Sequence, residues 1–158
     1  MTEQTASISK VARFPALAAF VAFLWIADTS FLTYHHYMAE PVPCSILTGC
    51  EQVLTSQWST VGGFLPFDAP MLASIPLSLL GMFAYVTALV LALISLRGNR
   101  KSWLLYGIQT CLMGCFSAWL IYLQAYVIEA FCQFCLLSAL STFTLLAIAL
   151  ISRFWRLN

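Results

Sequence analysis

Four long apolar stretches constrain this chain more than any other feature. They run from about Phe14 to Tyr34, Met71 to Leu96, Trp103 to Tyr122 and Tyr126 to Ile151. None contains Lys or Arg. Each reaches the roughly 20 residues that a helix needs to cross a bilayer. Lipid offers backbone N–H and C=O groups no partners, so helices are the expected form. Only 8% of the 158 residues are charged and 61% are hydrophobic, against about 25% charged in a soluble domain. A soluble enzyme, a disordered chain and a nucleic-acid binder are therefore excluded, the last for want of a basic face. The expected fold class is an all-α membrane protein, a four-transmembrane-helix bundle in one domain over residues 1–158. The first stretch is too long for a signal-peptide core, and no small-x-small cleavage pattern clearly follows it. It reads as a retained signal anchor.

The basic residues orient the bundle. Lys10 and Arg13 precede the first stretch, Arg97, Arg100 and Lys101 link the second to the third, and Arg153 and Arg156 follow the fourth. An even number of spans brings all seven to one side, which the positive-inside rule makes cytoplasmic. Both termini are then cytoplasmic, and one long outer loop, about 35–70, lies opposite. Its Pro and Gly residues are turn formers. A short helix is expected around Cys50 to Trp58, and the 62–72 segment reads as an apolar flap on the membrane surface. The second outer loop, around Leu123 to Ile128, is short enough to make its flanking helices antiparallel neighbours.

Cys44 and Cys50 lie in the long loop. Cys132 and Cys135 lie in Phe131-Cys132-Gln133-Phe134-Cys135, at the outer beginning of the fourth helix. All four thus fall at one membrane face, on the side where disulfides persist. Cysteines at i and i+3 share a helix face, and a helix N-terminus stabilises a thiolate. Two dithiol pairs on one face can pass electrons by thiol–disulfide exchange. One pair meets water, and the other lies where a lipophilic oxidant or reductant can reach it. The residues alone leave other readings open. Cys44–Cys50 could be a purely structural disulfide in a membrane scaffold. The pairs could be thiolate ligands of a soft-metal carrier. A zinc site could use His35, His36, Cys44 and Cys50, although adjacent histidines are not at a usual ligand spacing. Cys111 and Cys115 join Gly107, Gly114 and Ala118 in a stripe that reads as helix packing. Asp28, in the outer third of the first helix, is either functional or a snorkelling residue. Glu129 reads as an acid that complements a helix N-terminus.

These features together resemble the vitamin K epoxide reductase family, in a bacterial-type form without a fused thioredoxin domain. Cys44-Ser-Ile-Leu-Thr-Gly-Cys50, followed by Glu51-Gln52-Val53-Leu54-Thr55-Ser56-Gln57-Trp58, resembles the family's loop cysteines and the valine, serine and aromatic run after them. Ile75-Pro76-Leu77-Ser78-Leu79-Leu80-Gly81 resembles its signature at the second helix. The other four-helix thiol-oxidase family carries its C-x-x-C in the first outer loop, the reverse of the order here.

The resemblance implies a quinone-linked thiol–disulfide oxidoreductase with no metal. Cys135 would attack the quinone and Cys132 would exchange with the loop. Cys50 would form the interpair disulfide with Cys132, and Cys44 would complete the shuttle pair. Ser56 matches the family's loop serine and would shape the pocket mouth. Phe131, Phe134, Phe116, Trp119 and Tyr122 are the candidate walls for a ubiquinone- or menaquinone-type substrate. The implied partner is a thioredoxin-fold protein acting in trans. The implied location is a bacterial inner membrane, with the active face periplasmic or extracellular. Animal members carry a tyrosine one turn beyond the second C-x-x-C cysteine. Here Leu136, Leu137, Ser138 and Ala139 follow, which argues against epoxide reduction.

Overall fold

Local stop signals, rather than apolarity, decide where each helix begins and ends. The computed structural model describes residues 2–38, 42, 44, 49–64 and 74–157, with side chains from Arg13 to Phe154. Four long helices cross in alternating directions: α1 (Thr2–Met38), α3 (Leu77–Leu96), α4 (Arg100–Tyr126) and α5 (Gln133–Leu157). A short helix, α2 (Cys50–Leu54), and two 3-10 turns, Gln57–Ser59 and Val61–Phe64, lie between α1 and α3. The four long helices contain the segments Arg13–Met38, Leu77–Leu96, Arg100–Tyr126 and Gln133–Phe154, each long and apolar enough to cross a membrane.

The observed ends differ from the apolar pattern for identifiable reasons. Residues Thr2–Arg13 contain no Gly or Pro, so α1 starts well before Phe14. The described part of the second span starts at Leu77, later than expected; Met71–Ala73 lie outside the described residues. Pro76 is the N-cap, with φ −70° and ψ 144°. A proline also keeps the residue before it extended. Ile75 accordingly accepts from the Val61 N–H (3.0 Å), and Thr60 bridges Pro76. The α3–α4 link turns at Gly98, whose φ of +81° favours glycine. Asn99 then caps α4, its side chain accepting from the Lys101 N–H at 3.1 Å. α4 runs on to Tyr126, where the Val127 and Ile128 N–H groups both bond to the Leu123 carbonyl. Glu129 has φ +54°. It is the left-handed residue of this turn, not an acid in the first turn of α5. The fourth helix therefore starts at Gln133, later than the apolar run suggests.

α1 packs on α3 and α5, and α4 packs on the same two helices. Two contacts about one turn apart set the direction. Thr33 bonds Ser78 at 2.9 Å and Ser30 bonds the Met82 sulfur at 3.4 Å, so α1 and α3 are antiparallel. Close approach comes from small residues on α1 and α3: Ala18, Ala22, Ala88 and Ala92 are all buried. Such pairs let membrane helices touch backbone to backbone. The stripe on α4 behaves otherwise. Gly114 packs on Leu146, but Cys111, Cys115 and Ala118 are exposed and a Cβ at Gly107 would meet nothing. The core face of α4 runs instead through Trp103, Tyr106, Thr110 and Gly114.

Several polar groups inside the bundle are paired across helices. Trp103 Nε1 donates to Ser152 at 2.8 Å, and Tyr106 donates to the Leu145 carbonyl at 3.2 Å. Tyr85 reaches from α3 into α5, where its hydroxyl meets the Ser138 carbonyl (2.9 Å) and the hydroxyls of Ser141 (2.6 Å) and Thr142 (3.0 Å). Tyr85→Phe is expected to cost about 1 kcal/mol, the scale of a polar contact between membrane helices. A lowered thermal midpoint in detergent checks this. An unchanged midpoint would mean that the hydroxyl cluster contributes nothing to the α3–α5 contact.

Candidate redox site

The redox site forms where α2 is pressed onto the turn between α4 and α5. Cys44 and Cys50 are joined by a disulfide with a Cα–Cα distance of 6.3 Å. Both sulfurs are thereby spent, so neither serves as a thiolate ligand in this state. The expected helix from Cys50 to Trp58 breaks at Thr55–Ser56. There the Ser56 hydroxyl turns back to the Val53 carbonyl at 2.7 Å. Gly49 is the point of closest approach. A Cβ there would stand 2.9 Å from the Phe131 carbonyl oxygen and 3.0 Å from the Phe131 nitrogen. Gln52 adds a long hydrogen bond of 3.4 Å from Nε2 to the Ile128 carbonyl. Backbone therefore lies directly on backbone just before the C-x-x-C.

This contact gathers the four cysteines. Cys50 and Cys132 are buried together with Val53 and Ala130, and Cys44, Cys135, Phe134 and Ile128 pack around them. Cys132 is the N-cap of α5, because its carbonyl accepts from the Leu136 N–H (3.0 Å). An N-cap side chain accepts from the backbone N–H groups two and three residues on. The Cys135 thiol, helped by the backbone N–H groups of Cys135 and Phe134, lowers the Cys132 thiol to about 7. Burial and the charge of Asp28 oppose this shift. Among the described residues, one carboxylate oxygen of Asp28 is buried without a hydrogen-bond partner.

The sign of the effect follows directly. A thiol lowered in the folded state stabilises the reduced fold fully above the unfolded value of about 8.5. That gain is lost as pH falls through about 7. In a Cys111→Ser, Cys115→Ser background, the far-ultraviolet thiolate absorbance of the reduced protein should rise near pH 7. Cys135→Ala should move that midpoint upwards, because it removes the largest stabilising contact. A midpoint that stays near 7 in Cys135→Ala would show that Cys135 is not its source.

Cys135, unlike Cys132, also reaches the interior of the bundle. It lines an apolar cavity of about 380 Å³ between α1, α3, α4 and α5, roofed by Val53, Ser56 and Trp58. Small-molecule sites are usually concave, mostly apolar and about this size. Ser56 and Phe116 line the cavity, but Phe131, Phe134, Trp119 and Tyr122 do not. Trp119 and Tyr122 stack on each other at 5.6 Å on the outer face of α4. Phe134 packs against the cysteine cluster and against Phe31 at 6.0 Å, and Phe131 is exposed. The part of the 62–72 flap that is described, to Phe64, is not in the lining but packs against two residues that are. Phe64 bridges Trp58 (5.4 Å) and Phe116 (5.8 Å). Residues 65–72 lie outside the described residues. Sequence reasoning did not place Gln124, Tyr85 or His36 in this lining, where all three are found.

A family model described as "Vitamin K epoxide reductase family" matches residues 16–150. The chain belongs to the vitamin K epoxide reductase family. No curated protein matches it. Membership agrees with the four spans, the loop disulfide and the C-x-x-C, and makes the chain an integral membrane redox protein. Vitamin K epoxide reductase family proteins act on quinones and work with thiol partners.

Proposed function

We propose that this protein is a membrane thiol–disulfide oxidoreductase. It reduces a quinone of the ubiquinone or menaquinone type while oxidising a thioredoxin-fold partner in trans. One observation carries the reading: Cys132 is packed beneath Cys50, and Cys135 also lies in the wall of the apolar cavity. In the forward direction the partner dithiol reduces the Cys44–Cys50 disulfide and is itself oxidised. Cys50 then attacks the Cys132–Cys135 disulfide at Cys132, and the departing electron pair leaves Cys135 as a thiolate. Cys44 resolves the mixed disulfide and leaves Cys132 reduced. The Cys135 thiolate adds to a ring carbon of the quinone. Cys132 attacks the Cys135 sulfur, the C–S bond breaks, and its electron pair passes to the ring. The two protons shed by Cys50 and Cys44 during the exchange, which came from the partner dithiol, complete the hydroquinone. Basic residues at the opposite end of the bundle support a cytoplasmic side there, with the cysteines on the periplasmic or extracellular face of a bacterial inner membrane.

Purified protein in detergent tests the reading, with menadione as acceptor and reduced thioredoxin as donor. One hydroquinone should form for each thioredoxin disulfide, and Cys44→Ser should accumulate a Cys50–Cys132 disulfide on non-reducing mapping. Thioredoxin oxidation that ignores menadione would refute it.

A further inference from the structure

Gln124 is a polar side chain that touches both halves of this site. It is only 3% exposed although it lies in a membrane-spanning helix. Its Oε1 accepts from the Cys132 N–H at 3.0 Å, and its backbone carbonyl accepts from the Ala130 N–H at 3.1 Å. It therefore grips the short segment that delivers Cys132 to the N-cap position. Gln124 also lines the cavity beside Cys135 and Ile128. A carboxamide is planar, with its NH₂ group on the side away from the carbonyl oxygen. With Oε1 committed to Cys132, the NH₂ is the end left to face the cavity. An amide donor in an apolar pocket is costly without an acceptor. A quinone has two ring oxygens that only accept.

We propose that Gln124 is a positioning residue with a second, substrate-facing end: its carbonyl holds Cys132 as the N-cap of α5, and its amide N–H donates to a quinone ring oxygen beside Cys135. The second half rests on the quinone reading above, and the first half does not. The arrangement also couples the two. Hydrogen bonds in a chain polarise one another, so a ring oxygen on the NH₂ makes Oε1 a better acceptor for the Cys132 N–H. Ring binding and the placement of the exchanging cysteine are then mutually reinforcing.

The experiment uses Gln124→Met, which keeps length and apolar volume but loses both amide ends. First, the Cys132–Cys135 pair is equilibrated with glutathione buffers in the absence of quinone. A loosened N-cap stabilises the Cys132 thiolate less, so the variant should shift about tenfold towards the disulfide, equivalent to about 30 mV. Second, KM for menadione should rise about tenfold, the scale of one lost hydrogen bond. Gln124→Asn, which retains an amide but is too short to reach Cys132, should show the same first shift. It serves as the second variant if Gln124→Met does not fold. A variant that loses thermal stability while both readouts stay at wild-type values would overturn the proposal, leaving an ordinary packing role. An equilibrium shift with unchanged KM would overturn the substrate-facing half. Failure of the wild-type protein to reduce menadione would sink the quinone reading itself, and the glutathione equilibrium would still decide the first half.

Discussion

Cys132→Ala and Cys135→Ala should each reduce partner-driven quinone reduction by at least about a thousandfold, because residues that act as one unit fail together. The two losses differ in kind. Cys135→Ala removes the sulfur that lines the cavity but leaves Cys132 beneath Cys50. A mixed disulfide with the loop should still form, and no quinone should be consumed. Cys132→Ala keeps the cavity sulfur and breaks its link to the loop. Cys44→Ala and Cys50→Ala should stop turnover at the partner step. Cys111→Ala combined with Cys115→Ala should leave most of the activity, since both thiols are exposed on the outer side of α4. Quinol formation followed in detergent, with non-reducing mapping of each variant, checks the set. Full turnover in either C-x-x-C variant would sink the relay.

Gly49→Ala is expected to have the next largest effect, although it removes no reactive atom. The added methyl would stand 2.9 Å from the Phe131 carbonyl oxygen and 3.0 Å from both the Phe131 nitrogen and the Ala130 Cβ. Two of those atoms are backbone, so α2 and the turn before Cys132 must separate. Exchange between sulfurs needs close, in-line approach, and a displacement of roughly 1 Å can cost about a hundredfold in rate. Partner-driven turnover of Gly49→Ala should therefore fall about a hundredfold. Quinone reduction by the pre-reduced C-x-x-C pair should stay near wild type. Single-turnover mixing of the pre-reduced protein with menadione separates the two steps. Equal losses in both would place the damage in the fold rather than in the exchange contact.

The same contact shows how far sequence reasoning reaches. Cys50 and Cys132 are 82 positions apart, yet span counting alone brings them to one face. It does not bring them into contact. That depends on Gly49, a residue that reads as an ordinary loop glycine until its backbone neighbours are known. The aromatic walls make the same point. Phe116 lines the cavity, whereas Trp119 and Tyr122 turn away from it. No local signal separates them, because they differ only in angle around one helix. Ser56 reaches the cavity roof through the break after α2, a bend that a continuous helix to Trp58 would not have provided. The apolar runs missed helix starts even where a cap stood, since Pro76 caps α3 and Asn99 caps α4. The start of α5 was obscured as well, where the apolar run continues through a left-handed turn at Glu129.

From sequence alone came the number of spans, their alternation and the end of the bundle that carries the cysteines. Lipid enforces these, since an unpaired backbone group or a buried charge is too costly there to be placed freely. The tertiary structure alone decided which face of each helix looks inward. In water, apolar residues mark the core. In a membrane, the lipid-facing side is as apolar as the core, so periodicity carries little information about azimuth. The cavity behind Cys135, the burial of Cys132 under Cys50 and the grip of Gln124 on the N-cap all depend on that rotation.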